Sequence, residues 1–270
     1  MTNIQKVIKT IAICLAVILI VLIFNGILNV ISWISNYSMT KKPNEGATTF
    51  KENYTEIQEI DIEATTSNIV IQSGKKFLVE TKNLKSNFSS KVRNNILKVE
   101  EENSRFQKKE NRGTIIVTIP NETILNKLTI DTGTGKLEMN EIKVQELELD
   151  HGTGDVEIYN STFETSEIDA GVGEIYIRNS TFKNSKIDAG IGVIDMEANL
   201  IGNNQINSGI GDIKLTLLGL EEDYTIKTEK GIGNITINDQ KKNSSTTYGT
   251  GNNIIEVEGG IGSIFIYFEN

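Results

Sequence analysis

Acidic residues return at a fixed interval in the second half of the chain. Asp131, Asp150, Asp169 and Asp188 lie 19 residues apart, each two residues ahead of a Gly-x-Gly motif. The same place before later motifs holds Asn207, Glu229 and Glu258, and Glu63 matches it in an earlier, diverged stretch. Carboxylates that share a structural period come to lie beside one another, and neighbouring carboxylates offer the oxygen ligands that calcium takes. Asp131, Asp150, Asp169 and Asp188 are therefore the candidates for a metal site, as a cation stripe. The competing reading is structural: an aspartate before a corner can accept a backbone N–H and shape an Asx-type turn. Like charges about 5 Å apart repel by about 0.8 kcal/mol even at the dielectric of water, so the ladder needs an offset under either reading.

Other chemistry is short of parts. His151 is the single histidine, at a place held elsewhere by Thr132, Ala170, Ala189 and Ser208, and no second histidine can join it as ligand or base. Cys14 is the single cysteine and lies in an apolar run, so the chain has neither a disulfide framework nor a cysteine-ligated zinc site. A dinucleotide fingerprint needs a helix opening after its glycines, whereas strand-like sequence follows each Gly-x-Gly here. Sugar cleavage on a β-helix needs paired carboxylates with Arg or Lys, and Arg178 is the lone arginine of the repeat. With 27 basic against 36 acidic residues and a net charge of −9, the chain lacks the clustered cations that nucleic-acid binding requires. No catalytic residue and no cofactor is expected, and the protein reads as a non-enzyme.

The elements that carry the acidic file come from the repeat itself. Gly-x-Gly begins at Gly133, Gly152, Gly171, Gly190 and Gly209, a step of 19, and then at Gly231 and Gly260 after steps of 22 and 29. Apolar residues alternate after each motif, as in Val156 and Ile158 or Ile175 and Ile177, and Ile130, Leu149, Ile168, Ile187 and Ile206 lie three residues before it. Period-two alternation makes strands with one buried face. A single such unit cannot bury its apolar face, so equivalent units must stack at about 4.8 Å with like residues over like. The fold expected is all-β, a single-stack β-solenoid of 19-residue rungs. The residue between the glycines, Val172 or Ile191 for example, is expected to point inward at the corner. Phe163, Phe182 and Ile201 are expected at the opposite corner, after the turn-like Asn160-Ser161-Thr162 and Asn179-Ser180-Thr181.

The chain divides accordingly. Residues 1–9 form a short head, and residues 10–34 one N-terminal transmembrane helix, since 11–24 are uninterrupted apolar sequence with Trp33 and Tyr37 beyond. About 20 apolar residues span a bilayer, and aromatic rings settle at its boundary. A cleaved signal peptide competes with this, but no small-x-small site follows the apolar run. Residues 35–55 are the linker, 56–120 irregular β rungs and a cap, and 121–270 the regular Gly-x-Gly solenoid. In the irregular part, Thr65-Thr66-Ser67 takes the place of a glycine corner, and residues 101–112 read as a charged loop or hairpin tip. Lys6 and Lys9 face Lys41, Lys42 and Lys51 across the span, so charge barely orients it. The short head favours a cytoplasmic N-terminus and an extracellular C-terminal domain.

Ile115-Ile116-Val117-Thr118-Ile119-Pro120 followed by rungs such as Asp169-Ala170-Gly171-Val172-Gly173-Glu174-Ile175 resembles the bacterial "putative adhesin" family, a domain of unknown function with a β-strand repeat, often on a membrane anchor. The resemblance covers residues 56–270 and implies a fold rather than a site; some members resemble accessory proteins of cell-envelope stress systems. The expected function is a non-enzymatic, membrane-anchored module outside the cell, adhesin-like or a sensing accessory. The extra residues of the two longer steps share one edge, so segments 217–223 and 239–251 are expected to protrude together and meet a protein or cell-wall partner. The alternative is a membrane-tethered structural protein that oligomerises through its solenoid ends: residues 263–268 are strand-like with no cap after them, which would leave Phe265 and Tyr267 to dock another subunit.

Overall fold

Alternation becomes burial in each rung. Ile130, Leu149, Ile168, Ile187 and Ile206 are all inside, with the residues between them turned outward. The computed structural model describes residues 49–102 and 112–269, all within one compact unit. They form 23 strands hydrogen-bonded into a single sheet. Before the glycine corner, Ile124–Thr134, Lys143–Thr153, Thr162–Val172, Ser185–Ile191 and Asn203–Ile210 stack in parallel. After it, Leu137–Asn140, Val156–Tyr159, Ile175–Lys183, Ile194–Ile201 and Ile213–Leu218 form a second parallel column. The register sets Leu149 beside Ile168, Ile168 beside Ile187 and Ile187 beside Ile206, so residues one period apart form one file. The diverged stretch joins the same columns, with Ile62 beside Ile130 and Ile71 beside Met139. The result is an all-β, solenoid-like stack. The expected membrane helix, residues 10–34, lies outside the described residues, and no helix among those described is long and apolar enough to cross a membrane.

The glycines are required because adjacent corners almost touch. Gly135, Gly154, Gly173, Gly192 and Gly211 all have φ between 137° and 150°, a region costly to any residue with a Cβ. The corner amides bond between rungs: Gly154 N–H donates to the Val172 carbonyl at 2.8 Å and Gly173 N–H to the Ile191 carbonyl at 3.0 Å.

Stacking order departs from chain order at both ends. Asn253–Ile261 lies directly on Asn203–Ile210, and Tyr224–Ile232 lies outside it. Ile264–Glu269 is likewise sandwiched between Ile213–Leu218 and Ile235–Ile237. The outermost rung is then overlaid by two antiparallel strands, Ser245–Gly249 and Gln240–Lys242. At the other end, Ile96–Glu102 and Thr114–Pro120 lie outside Glu59–Ala64 and Asn68–Gly74. They are covered antiparallel by Asn87–Arg93 and Phe77–Lys82, and Lys51–Tyr54, from the expected linker, pairs with Phe77–Lys82. The expectation of an uncapped end at residues 263–268 is thus overturned: that strand is interior, Phe265 and Tyr267 are half-buried, and the 239–251 insertion supplies the cap. Antiparallel covers close the rungs because an open parallel edge would leave a row of unpaired amides and carbonyls.

Two local expectations also change. At the far corner Phe163 and Phe182 are buried with rings 4.9 Å apart, but Leu200 and not Ile201 continues their file. The register slips by one residue after Ile177, near the left-handed Asn179 (φ 51°). It is regained once Gly202 (φ 74°) has been passed, where Lys186 pairs with Gln205. The residue between the glycines points outward: Ile191 is 39% exposed and Ile232 51%. With no Cβ on either side of it, that residue stands at the apex of the bend instead of in the core.

Candidate functional site

The outer face of the strands before the corner carries the densest functional chemistry. Its columns are fixed by the register: Glu148, Glu167, Lys186, Gln205, Glu256 and Lys227 form one, and the acidic file forms the next. In stacking order that file reads Glu100, Glu63, Asp131, Asp150, Asp169, Asp188, Asn207, Glu258 and Glu229. The predicted residues Asp131, Asp150, Asp169 and Asp188 are therefore brought together, and Glu100 joins them unanticipated. Beside the file the strands enclose a groove of about 630 Å³ whose lining includes Glu148, Glu167, Lys186, Asn203, Gln205 and Glu256.

Among the described residues none of the four aspartates accepts a backbone N–H, so the Asx-turn reading fails; the corner amides are already engaged between rungs. Repulsion is offset sideways at Glu63, Glu100 and Asp188, by lysines of the adjacent column. Lys98 bridges Glu63 at 2.9 Å and Glu100 at 3.1 Å, and Lys186 bridges Glu167 at 3.1 Å and Asp188 at 2.7 Å. Lys127, one column further out, holds Glu146 at 2.7 Å and Glu148 at 2.6 Å, neither of which belongs to the file. Asn207 donates its amide to Asp188 Oδ1 at 2.6 Å. Burial pushes the Asp169 carboxyl up and the charge of Asp188 pushes it further. Burial acts on Asp188 too, but hydrogen bonds from Lys186 and Asn207 outweigh it and hold that carboxyl below the usual aspartate range. Two adjacent members of one file thus differ in proton affinity, with the lysine on the Asp188 side. No three of the described His, Cys, Asp and Glu residues are grouped so as to hold a metal ion.

His151 is buried at the corner, its Nδ1 hydrogen-bonded with Thr132 Oγ1, and burial lowers its proton affinity. Nothing of the groove reaches it. Arg178 stands on the other strand column, its guanidinium 3.6 Å over the Tyr176 ring and 3.0 Å from Asp195 Oδ1. It is therefore separated from the acidic file.

Glu101 was missed by sequence reasoning. It belongs to the strand Ile96–Glu102 and not to a loop, and it is only 4% exposed; residues 103–111 of the expected loop lie outside the described residues. Its Oε2 accepts the N–H groups of Thr65, Thr66 and Ser67 at 3.0 to 3.1 Å, and its Oε1 the hydroxyls of Ser67 at 2.7 Å and Ser86 at 2.6 Å. Desolvation raises this carboxyl, but those hydrogen bonds outweigh it and lower its proton affinity. Glu101 closes the Thr65–Ser67 corner, at the end of the corner file opposite Gly231 and Gly233.

The two insertions meet, as their shared edge implies. Glu221 accepts from Asn238 Nδ2 at 2.9 Å and from the Tyr248 hydroxyl. Leu220, Glu221, Glu222, Tyr248, Gly249 and Thr250 line a second hollow of about 590 Å³.

Solved structures with a similar fold include one named "putative adhesin" from Bacteroides fragilis, at 17% identity and a TM-score of 0.47, covering 83% of this chain and 98% of that one. A "putative cell adhesion protein" from Clostridium sporogenes is 16% identical with a TM-score of 0.41, covering 82% and 99%. A "putative lipid binding protein" from Parabacteroides distasonis is 14% identical with a TM-score of 0.35, covering 83% and 98%. No protein of curated function matches the chain. A family match over residues 57–254 takes in most of the rungs and their glycine corners, and the chain belongs to the Toastrack DUF4097 family.

Proposed function

We propose that this protein is a single-pass membrane protein that carries its β stack outside the cell and works there as a non-enzymatic binding module of the envelope. The apolar run at residues 11–24 supplies the tether. The observation that carries the binding role is the groove: each rung adds a carboxylate, an amide or a lysine at an even spacing along a parallel sheet. An evenly spaced array of acceptors and donors suits a hydroxyl-rich envelope polymer, whose own repeat can register against the rungs. The hollow between the two insertions offers a second contact at the same polymer's end. The assembly alternative needs a bare terminal rung, and the antiparallel covers at both ends weigh against it.

Retention of the full chain on purified cell-wall sacculi tests the binding role. Asn203→Ala with Gln205→Ala, which removes groove amides and leaves the core intact, is expected to lower retention at least tenfold. Unchanged retention would overturn the groove. Protease added to intact cells is expected to cut the domain, and full protection would overturn the outward orientation.

A further inference from the structure

One exposed feature has no part in the groove. The residues between the paired glycines stack in register as Thr134, Thr153, Val172, Ile191, Ile210, Ile261 and Ile232. The first two are threonines and the next five are β-branched aliphatics, so the corner becomes an apolar ridge over the last five rungs of the stack. Ile191 and Ile261 are each 39% exposed, Ile232 is 51% exposed, and Val193 beside the ridge is 37% exposed. On each side runs a file of glycines, Gly171 to Gly231 and Gly173 to Gly233, which leaves a furrow bare of side chains except at the outermost rung, where the Lys230 ammonium donates to the Gly233 carbonyl. Beyond the furrows stand Asp169, Asp188, Glu258 and Glu229 on one side, and Glu174 and Asp212 on the other.

The fold does not demand this apolar character. Threonine has the same β-branched shape and β preference and already fills the position at Thr134 and Thr153. Val172 and Ile210 are half-buried between and beside the exposed Ile191, Ile261 and Ile232, and a continuous aliphatic row of this kind at the surface marks a contact surface. Charge selects among occupants. A second copy pressed ridge to ridge would bring acidic files against acidic files, and an anionic bilayer would meet the same repulsion with no tryptophan or tyrosine on the ridge to anchor it. The complementary occupant has an apolar row flanked by cations. At about 4.8 Å per rung the five-residue ridge is about 19 Å long, the length of a helix of about 13 residues, whose side chains could seat in the furrows.

We propose that the ridge Val172–Ile191–Ile210–Ile261–Ile232 is the docking site for a basic amphipathic helix of a partner protein. The site goes beyond the groove reading and does not depend on it. The test uses the full chain in zwitterionic nanodiscs, with empty discs as reference. The probes are two synthetic helices of about 18 residues, each with leucine on one face and with either lysine or glutamate on the other. The lysine helix is expected to bind at least tenfold tighter than the glutamate helix. I191T/I210T/I261T is expected to weaken it at least tenfold, and D188N/E258Q to weaken it and flatten its salt dependence. Should the triple variant unfold, Ile232→Thr and D188N/E258Q decide, and unchanged affinity in both overturns the proposal. Equal binding of the two helices, or no binding of either, overturns it. Dimerisation of the wild type that the triple variant abolishes would assign the ridge to a second copy. Binding of wild-type discs to anionic vesicles that the triple variant abolishes would assign it to a membrane; either result overturns the proposal.

Discussion

Gly154 lies so close above Gly135 that a Cβ placed on it would stand 1.7 Å from the Gly135 carbonyl oxygen. The same contact recurs at Gly173, where a Cβ would be 1.8 Å from the Gly154 carbonyl oxygen at a φ of 149°. Gly173→Ala therefore has to move backbone in two rungs as well as bear the strained φ, and about 3 kcal/mol or more of stability should be lost. Gly259→Ala is the control. Its Cβ would meet Ile264 Cδ1 at an ordinary 3.5 Å, and alanine loses less chain entropy in a strand than glycine does, so a change between zero and about 1 kcal/mol of added stability is expected. Urea midpoints of the two variants check the pair.

Glu101 should make stability depend on acid. Its folded-state proton affinity is lowered, so its contribution is full above the unfolded glutamate value of about 4.3 and is lost as pH falls through the lowered folded value. Glu101→Ala leaves the N–H groups of Thr65, Thr66 and Ser67 without their acceptor and should cost about 3 kcal/mol at neutral pH. The gap between wild type and variant should close as pH drops below that range. A gap that stays constant from neutral pH into acid would show that Glu101 acts through packing alone.

The inner file at Ile168, Ile187 and Ile206 was legible because alternation and a fixed step require it, and the acidic file was legible for the same reason. What stayed hidden has particular causes. Ile210 fits equally well beside Ile232 or Ile261, because repeated residues make rungs interchangeable, so the exchange of the last two rungs leaves no trace in composition. Ile191 between its glycines looked like core because it is β-branched, but the side-chain alternation breaks at the Gly192 corner. Glu101 reads as one of three consecutive glutamates on a surface, since the amides that hold it come from residues more than 30 positions away. Conversely, Thr65 and Ser67 replace glycine in the diverged rung because a carboxylate side chain, not a backbone carbonyl, lies beyond them. The groove was missed because its lining faces outward in every rung, where polar residues are the default.

Exchange of the end rungs makes the strand Ile264–Glu269 a keystone. Truncation after Gly262 removes buried Ile264 and Ile266 from between Ile213–Leu218 and Ile235–Ile237. Each buried isoleucine is worth about 2 to 5 kcal/mol, and Ile235–Ile237 loses its parallel partner. Hydrogen exchange should then show lost protection at residues 235–242 as well as at the strand ends. A truncated chain in which residues 235–242 remain protected would show that the outer rung can re-pair with Ile213–Leu218 directly.

Asp169→Asn should stabilise the stack. In the wild type, burial and the Asp188 charge raise the Asp169 carboxyl. Ionising a group with a raised folded value costs stability, and that cost grows as pH rises through the folded value and is absent in acid, where both states are protonated. An amide at this position removes the cost, and Asn207 shows from the opposite side that an amide in this file can donate to Asp188, at 2.6 Å. A gain of about 0.5 to 1 kcal/mol near neutral pH is expected for this partly exposed position. The gain should shrink to zero as pH falls below the aspartate range. Asp188→Asn is expected to do the reverse, since it discards a carboxylate that Lys186 and Asn207 already stabilise. Paired denaturation curves at neutral and acid pH discriminate the two, and equal effects from both substitutions would mean that the file behaves as uniform solvated charge without the lysine-set asymmetry.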